Sequence, residues 1–193
     1  QTLSRLAYTA RSESKALYGQ FTFYPGGHES GLRLTAGGRY TWDNKHIIRT
    51  QLAAAPLATP QTGDASFSKF TWNLMLGYDI AEGISSYARV ATGYRSGGFN
   101  AGDAADSTNT IPSFNSESVT SYEVGLKTEF MDKRVRFNIA GYHNSVKGAQ
   151  RSVILNVGGT SQTILENADT SNWGMEADLN VRVTDGFDLF AGG

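Results

Sequence analysis

Hydrophobic and polar positions alternate with a period of two along most of this chain. In residues 31–43 the even positions Leu32, Leu34, Ala36, Gly38, Tyr40 and Trp42 are small, apolar or aromatic. The odd positions hold every charge: Arg33, Arg39 and Asp43, with Thr35 and Thr41 between them. Successive side chains of a strand point to opposite faces, so the segment predicts a strand with one apolar and one wet face. The pattern returns in 69–80, where Phe70, Trp72, Leu74, Leu76, Tyr78 and Ile80 oppose Lys69, Thr71, Asn73 and Asp79, with Met75 the exception. In 121–130, Tyr122, Val124, Leu126 and Phe130 oppose Glu123, Lys127 and Glu129. In 134–142, Val135, Phe137 and Ile139 oppose Arg134, Arg136 and Asn138. In 173–183, Trp173, Met175, Leu179 and Val181 oppose Glu176, Asp178 and Arg182. Residues 16–24 and 86–95 carry the alternation more weakly. No segment sustains a 3.6-residue period, so no long helix is predicted.

The connections are of two kinds. Residues 25–31, 81–85, 131–134 and 184–186 are short and rich in turn formers. Residues 44–67, 96–117 and 145–163 read as long polar links, the last partly strand. Short and long connections alternate along the chain, so all the short turns fall at one end of the strands.

An alternating strand can face a protein core or a bilayer. Three features favour the bilayer. The strands keep register for ten residues or more, whereas strands of soluble domains usually run about 5–6 residues and a tilted membrane-spanning strand needs about 9–11. Tight turns at one end and long loops at the other are the habit of outer-membrane barrels. Aromatic side chains (Tyr40, Trp42, Phe70, Trp72, Tyr94, Tyr122, Phe130 and Trp173) gather near strand ends on the apolar face, as interfacial girdles do. The alternation then places Leu32, Leu34, Tyr40, Trp42, Leu74, Leu76, Val124, Leu126, Phe137, Ile139, Leu179 and Val181 toward lipid. It places Arg33, Arg39, Lys69, Arg89, Glu123, Lys127, Glu129, Glu176, Asp178 and Arg182 toward a lumen, with Arg95 and Arg136. The fold class expected is all-β, an antiparallel transmembrane barrel section of about eight to nine strands.

Composition narrows the chemistry. The net charge of −1 gives no steering toward nucleic acid, and there is no cysteine for a disulfide or thiolate metal site. The first residues contain neither an initiator Met nor an apolar signal core, and the chain stops inside a strand-like stretch at residues 188–193. Residues 1–193 are therefore expected to be one section of a longer barrel.

Residues 87–102, YARVATGYRSGGFNAG, carry a more specific signal. They resemble the TonB-dependent receptor family at Tyr87, Ala88, Gly93, Tyr94, Arg95, Gly97, Gly98, Phe99 and Asn100, where a strand of that barrel enters an external loop. The next hairpin of the family is similar at Glu117, Tyr122, Glu123, Gly125, Lys127, Asn138, Ala140 and Tyr142. A later one is similar at Asn167, Ala168, Gly174 and Glu176, with Asp169 in place of the family's Gly. The likeness covers most of 68–193, and residues 1–67 fit in pattern only.

The resemblance implies a barrel of about 22 strands with an N-terminal plug inside it, neither the plug nor the terminal strands being among these residues. It implies a place in the outer membrane of a Gram-negative bacterium and uptake of a bulky nutrient, a ferric siderophore or similar metal chelate first among them. The implied partners are outer-membrane lipid, the plug and the TonB complex, with no cofactor. Arg95, Phe99, Asn100 and Phe114 are the candidate ligand contacts, although a glycine-, serine- and asparagine-rich stretch such as 96–118 reads first as a solvated mobile loop.

Other chemistry finds little support. His28, His46 and His143 are scattered without ligand spacing, so no metal site is predicted. Asp103 and Asp106 lack a full calcium-loop pattern. Glu123, Lys127 and Glu129 share a face, but a charged ladder explains them as well as an acid–base pair does. GYRSGG lacks the strand–loop–helix setting and Gly-Lys-Ser/Thr of a phosphate loop, and no Gly-x-Ser-x-Gly occurs. No enzyme is expected. Two rivals remain open: a small self-contained outer-membrane barrel, structural or adhesin-like, and a soluble all-β carbohydrate-binding module.

Overall fold

The computed structural model describes residues 5–53, 55–102, 105–157 and 160–193. Eight strands form one antiparallel sheet: β1 (Arg5–Phe23), β2 (Leu32–Ala53), β3 (Ala55–Ala81), β4 (Ile84–Arg95), β7 (Glu117–Phe130), β8 (Val135–Val157), β9 (Thr160–Thr184) and β10 (Phe187–Gly192). They lie side by side in chain order. Between β4 and β7 the chain makes one excursion, in which β5 (Gly98–Phe99) and β6 (Ser113–Phe114) pair as a two-residue ribbon. Among the described residues the outer edges of β1 and β10 are unpaired, so the sheet is an open wall section.

The four short turns stand where the sequence predicts them. The first contains a single 3-10 turn, His28–Ser30. The second needs Gly83 for two reasons: its φ is 72°, and its backbone is pressed against Glu129, whose N–H donates to the Gly83 carbonyl at 2.6 Å. The third is a left-handed corner of three non-glycine residues, Met131, Asp132 and Lys133, with φ of 52°, 53° and 66°.

Directly paired residues share a face of the sheet, so the register sorts the side chains. The pairs Leu34↔Leu76, Ala36↔Leu74, Tyr40↔Phe70, Ala88↔Val124, Leu126↔Ile139 and Phe137↔Leu179 run across the sheet as one apolar band. Phe21 and Phe23 of β1 and Leu189 of β10 extend it to both edges. Its large side chains are exposed, Leu17 at 73% and Trp173 at 79%. The polar group of Thr128 in this band is hidden by donation to the Phe137 carbonyl at 2.6 Å. An exposed apolar surface of this extent marks an interface with something apolar. Among the described residues no helix is long and apolar enough to cross a membrane, which leaves crossing by strands untouched.

Two of the expected links are not loops. Residues 44–67 continue β2 and β3, and most of 145–163 continues β8 and β9. The ladder runs on because backbone hydrogen bonds need no side-chain pattern. The alternation stops because polar residues such as Asn44 and His46 take the outer face here, while the inner face buries the apolar Ile47 beside the charged Arg49. Polar pairs replace it: Lys45 with Ser12 at 2.7 Å, Ser66 with Asn44 at 2.8 Å and His46 with Asp64 at 2.7 Å.

Candidate functional site

The face opposite the apolar band carries the charge. One row crosses six strands as Arg33, Gly77, Tyr87, Gly125, Ala140 and Glu176. A second joins Lys127, Asn138 and Asp178, and a third Glu129, Arg136 and Asn180. Arg39, Lys69, Arg89 and Arg182 have the same facing by register.

Near the short turns this face is well paired. Arg33 grips Asp79 with two nitrogens, one bond being 2.8 Å, and Arg136 Nε lies 2.8 Å from Glu129 Oε1. Asn138 donates to Asp178 at 2.8 Å, and Arg182 lies 3.6 Å from Asp188. Toward the middle, the Tyr87 hydroxyl donates to Glu123 Oε1 at 2.5 Å, and Lys127 sits over the Tyr87 ring at 5.5 Å. Glu123 and Glu129 thus have different partners and do not form an acid–base pair. Two aromatic rings cover glycines on this face: Tyr87 over Gly125 and Tyr142 over Gly174. A ring laid on a strand glycine supplies the packing that residue lacks.

At the other end, residues 96–102 and 105–116 form a strap across this face. The expected solvated loop is packed at 96–102 and at Ile111, while residues 106–110 stay exposed. Ile111 is 1% exposed and Ile47, beneath it on β2, is 2% exposed. The Ile111 N–H donates to Thr62 at 2.7 Å, and Thr62 N–H donates to Asn109 at 3.0 Å. Phe99 fills the space over Gly63, where a Cβ would lie 2.6 Å from its ring. Arg49 is fully buried and donates to Gln61 Oε1 at 2.9 Å and to the Ala101 carbonyl at 2.6 Å. The far side of the strap is tied to β8 and β9. Asn100 and Leu165 exchange two hydrogen bonds, Gln150 donates to Ser96 and Asn115 carbonyls, and Asn167 bonds both backbone groups of Asn115.

These ties fix the curvature. Phe99 and Asn100 are consecutive, yet one rests on β3 and the other on β9, four strand intervals away. In a flat sheet those strands stand about 19 Å apart at about 4.8 Å per interval. The charged face is therefore concave, and the strap spans the concavity.

Of the four candidate ligand contacts, Arg95 is exposed at the end of β4, opposite Glu117. Phe99 packs on Gly63, Asn100 is held by Leu165, and Phe114 folds over Gly98, so these three shape the strap. Sequence reading passed over Arg49 and Gln150, which lie in stretches taken for polar links, and marked Asn167 only as a point of family likeness, not as a tie to the strap. The histidines stand apart: His28 stacks on Tyr24 with centroids 4.0 Å apart, His46 pairs with Asp64, and His143 lies 6.4 Å from Tyr122. Among the described residues no group of three or more metal-ligating side chains occurs. Asp103 lies outside the described residues. Asp106 accepts from the Thr108 hydroxyl at 2.6 Å and from the N–H groups of Thr108 and Thr110 at 2.8 and 2.9 Å. The Thr108 hydroxyl first, and then these amides, hold its carboxyl below the usual carboxylate range.

Comparison with known proteins agrees with this architecture. Residues 2–193 match the family described as TonB dependent receptor-like, beta-barrel. The ferric yersiniabactin uptake receptor FyuA from Yersinia pestis is similar, with a TM-score of 0.75 and 22% identity over 97% of this chain and 27% of its own. The siderophore receptor PiuA from Acinetobacter baumannii superposes with a TM-score of 0.68 and 18% identity, over 96% of this chain and 25% of its own. The copper transporter OprC gives 0.66 and 17% identity, over 91% and 28%. The chain spans about a quarter of the length of these structures, and at such identities the likeness is one of fold. Through the match along its whole length, the chain belongs to the TonB-dependent receptor-like β-barrel family.

Proposed function

We propose that this chain is part of the wall of an outer-membrane receptor of a Gram-negative bacterium that imports a bulky metal chelate, a ferric siderophore first among them. The observation that carries the reading is the two-faced curved sheet: an exposed apolar band outside, and a concave charged face crossed by an ordered strap inside. The band from Leu34 to Leu179 meets lipid. The charged rows line an aqueous lumen and face a plug, through which the TonB complex supplies energy. Arg95, exposed at the rim of the strap, is the first residue of this section to meet an anionic chelate. Phe99, Asn100 and Phe114 set the shape of that rim. The work is binding and gating rather than bond chemistry.

The test uses the full-length receptor containing this section. Its deletion is expected to abolish uptake of at least one radiolabelled ferric chelate from a panel of catecholates, hydroxamates and carboxylates, and the protein is expected in the outer-membrane fraction. Recovery in the soluble fraction, or unchanged uptake of every chelate in the panel, overturns the reading.

A further inference from the structure

The sheet is not laddered throughout. β3 and β4 pair from Ala81↔Ile84 to Asn73↔Ala91 and no farther. Beyond that point, away from the short turns, β2 and β3 stay paired through Arg49↔Gln61, and β4 and β7 through Arg95↔Glu117. The sheet therefore forks between β3 and β4 into two prongs, each with its own ladders. Thr92 forms the apex. Its hydroxyl accepts from the Trp72 N–H at 2.8 Å and donates to the Trp72 carbonyl at 3.2 Å. One side chain thus satisfies both backbone groups that would have continued the ladder, and the strands part there without orphaned groups.

The strap lies across the fork and holds both prongs. On the β3 side Thr62 donates to the Asn109 carbonyl and accepts from the Ile111 N–H, in a parallel bridge between Thr62 and Thr110. Beside the bridge, Gly63 leaves the space taken by the Phe99 ring and the Ile111 carbonyl, which lie 2.6 and 3.0 Å from where a Cβ would stand. On the other prong the strap is tied by Asn100 to Leu165 of β9 and by Gln150 of β8 to the Ser96 and Asn115 carbonyls. The bridge to β3 comes at the end of the exposed turn 106–110. Short bridges beside exposed backbone are the parts of a fold that open first.

We propose that the strap is a latch on this fork. Seated on Thr62 and Gly63, it holds the prongs together. Lifted from them, it lets the prongs part about Trp72 and Thr92 and widens the rim of the concave face between β3 and β4. Arg95 stands at the end of β4, so opening carries that rim residue away from β3. The latch rests on strand pairing within this chain and is independent of the cargo.

The experiment uses the full-length receptor in outer-membrane vesicles, with spin labels on Ser66→Cys of β3 and Lys147→Cys of β8, one on each prong and both exposed. Residues 1–193 contain no native cysteine, and any elsewhere in the receptor is replaced by serine. Pulsed dipolar spectroscopy is expected to give one narrow distance distribution in the parent. Gly63→Val puts a side chain where the strap sits, in a strand position that suits valine. It is expected to lengthen the mean distance by about one strand interval, about 5 Å, and to broaden the distribution. Ile111→Asp, which places a carboxylate in a site 1% exposed, is expected to do the same. A distribution unchanged in both variants overturns the latch. Failure of both variants to reach the outer membrane overturns it too, because a latch that closes only the rim is dispensable for assembly. Either result leaves the uptake reading standing.

Discussion

Leu165 N–H donates to Asn100 Oδ1 at 2.9 Å, and Asn100 Nδ2 donates back to the Leu165 carbonyl at 3.2 Å. One side-chain amide thus takes the place of a strand neighbour and fastens the strap to β9. Asn100→Ala removes both bonds, each worth about 0.5–1.5 kcal/mol net. The strap is expected to open locally while the sheet persists. Amide exchange at Leu165 and proteolysis within 101–112 should both quicken, with the global melting temperature nearly unchanged.

The two faces make opposite demands on neighbouring residues of β3. Leu74 lies mid-band on the apolar side, and Met75 is the apolar exception on the charged side. Leu74→Arg is expected to cost about 2–4 kcal/mol, the range for a basic side chain facing mid-bilayer. Met75→Gln is expected to fall within about 0.5 kcal/mol of the parent. The heat-modifiable gel shift of membrane-inserted receptor reports both, and equal assembly of the two variants would reverse the facing.

Gly125 leaves the space that the Tyr87 ring occupies. Gly125→Val forces the ring aside and breaks the 2.5 Å bond from Tyr87 to Glu123. Overpacking of this kind costs about 1–3 kcal/mol. Pairing with Tyr87→Ala should restore part of the loss, so a double-mutant cycle with no coupling would refute the contact.

The Asp106 turn gives the strap a pH dependence of known sign. Its carboxyl pKa in the folded loop lies below the ordinary value of 3.8, chiefly through the Thr108 hydroxyl. A depressed carboxylate stabilises above its unfolded pKa, and that contribution is lost as pH falls through the folded value. Acidification below 3.8 should therefore loosen 106–110, seen as faster exchange at the Thr108 and Thr110 amides. Asp106→Asn should remove the dependence.

The sheet is legible where one face of each strand is apolar and the other charged. Leu34, Leu74, Val124 and Phe137 alternate with charges because one face of each strand must be apolar, and the four short turns carry their own residue signals. The outer half was not legible for the same reason. With polar Asn44, His46 and Ser66 on one face and a mixture of apolar Ile47 and charged Arg49 buried on the other, no period shows, and strands that run on to Ala53 and Val157 read as links. The strap escaped notice because its ties have no sequence spacing. Asn100 and Leu165 are 65 residues apart, and Arg49 meets Ala101 across 52. Of the named ligand contacts, Arg95 is exposed and has no partner among the described residues, while Phe99, Asn100 and Phe114 are taken up in the strap.

The order of the strands also bears on how the wall forms. Each main strand pairs with its predecessor in the sheet, and every ladder except β4–β7, whose strands the strap separates, joins strands that lie close together in the chain. Closing such short loops carries little entropy penalty, and local pairings of this kind form early. The strap is the exception, because it needs β3 and β9 in place before Phe99 and Asn100 find their partners. Hairpins first and strap last is the order this topology favours, and Asn100→Ala should leave the rate of hairpin formation untouched while slowing the docking of the strap.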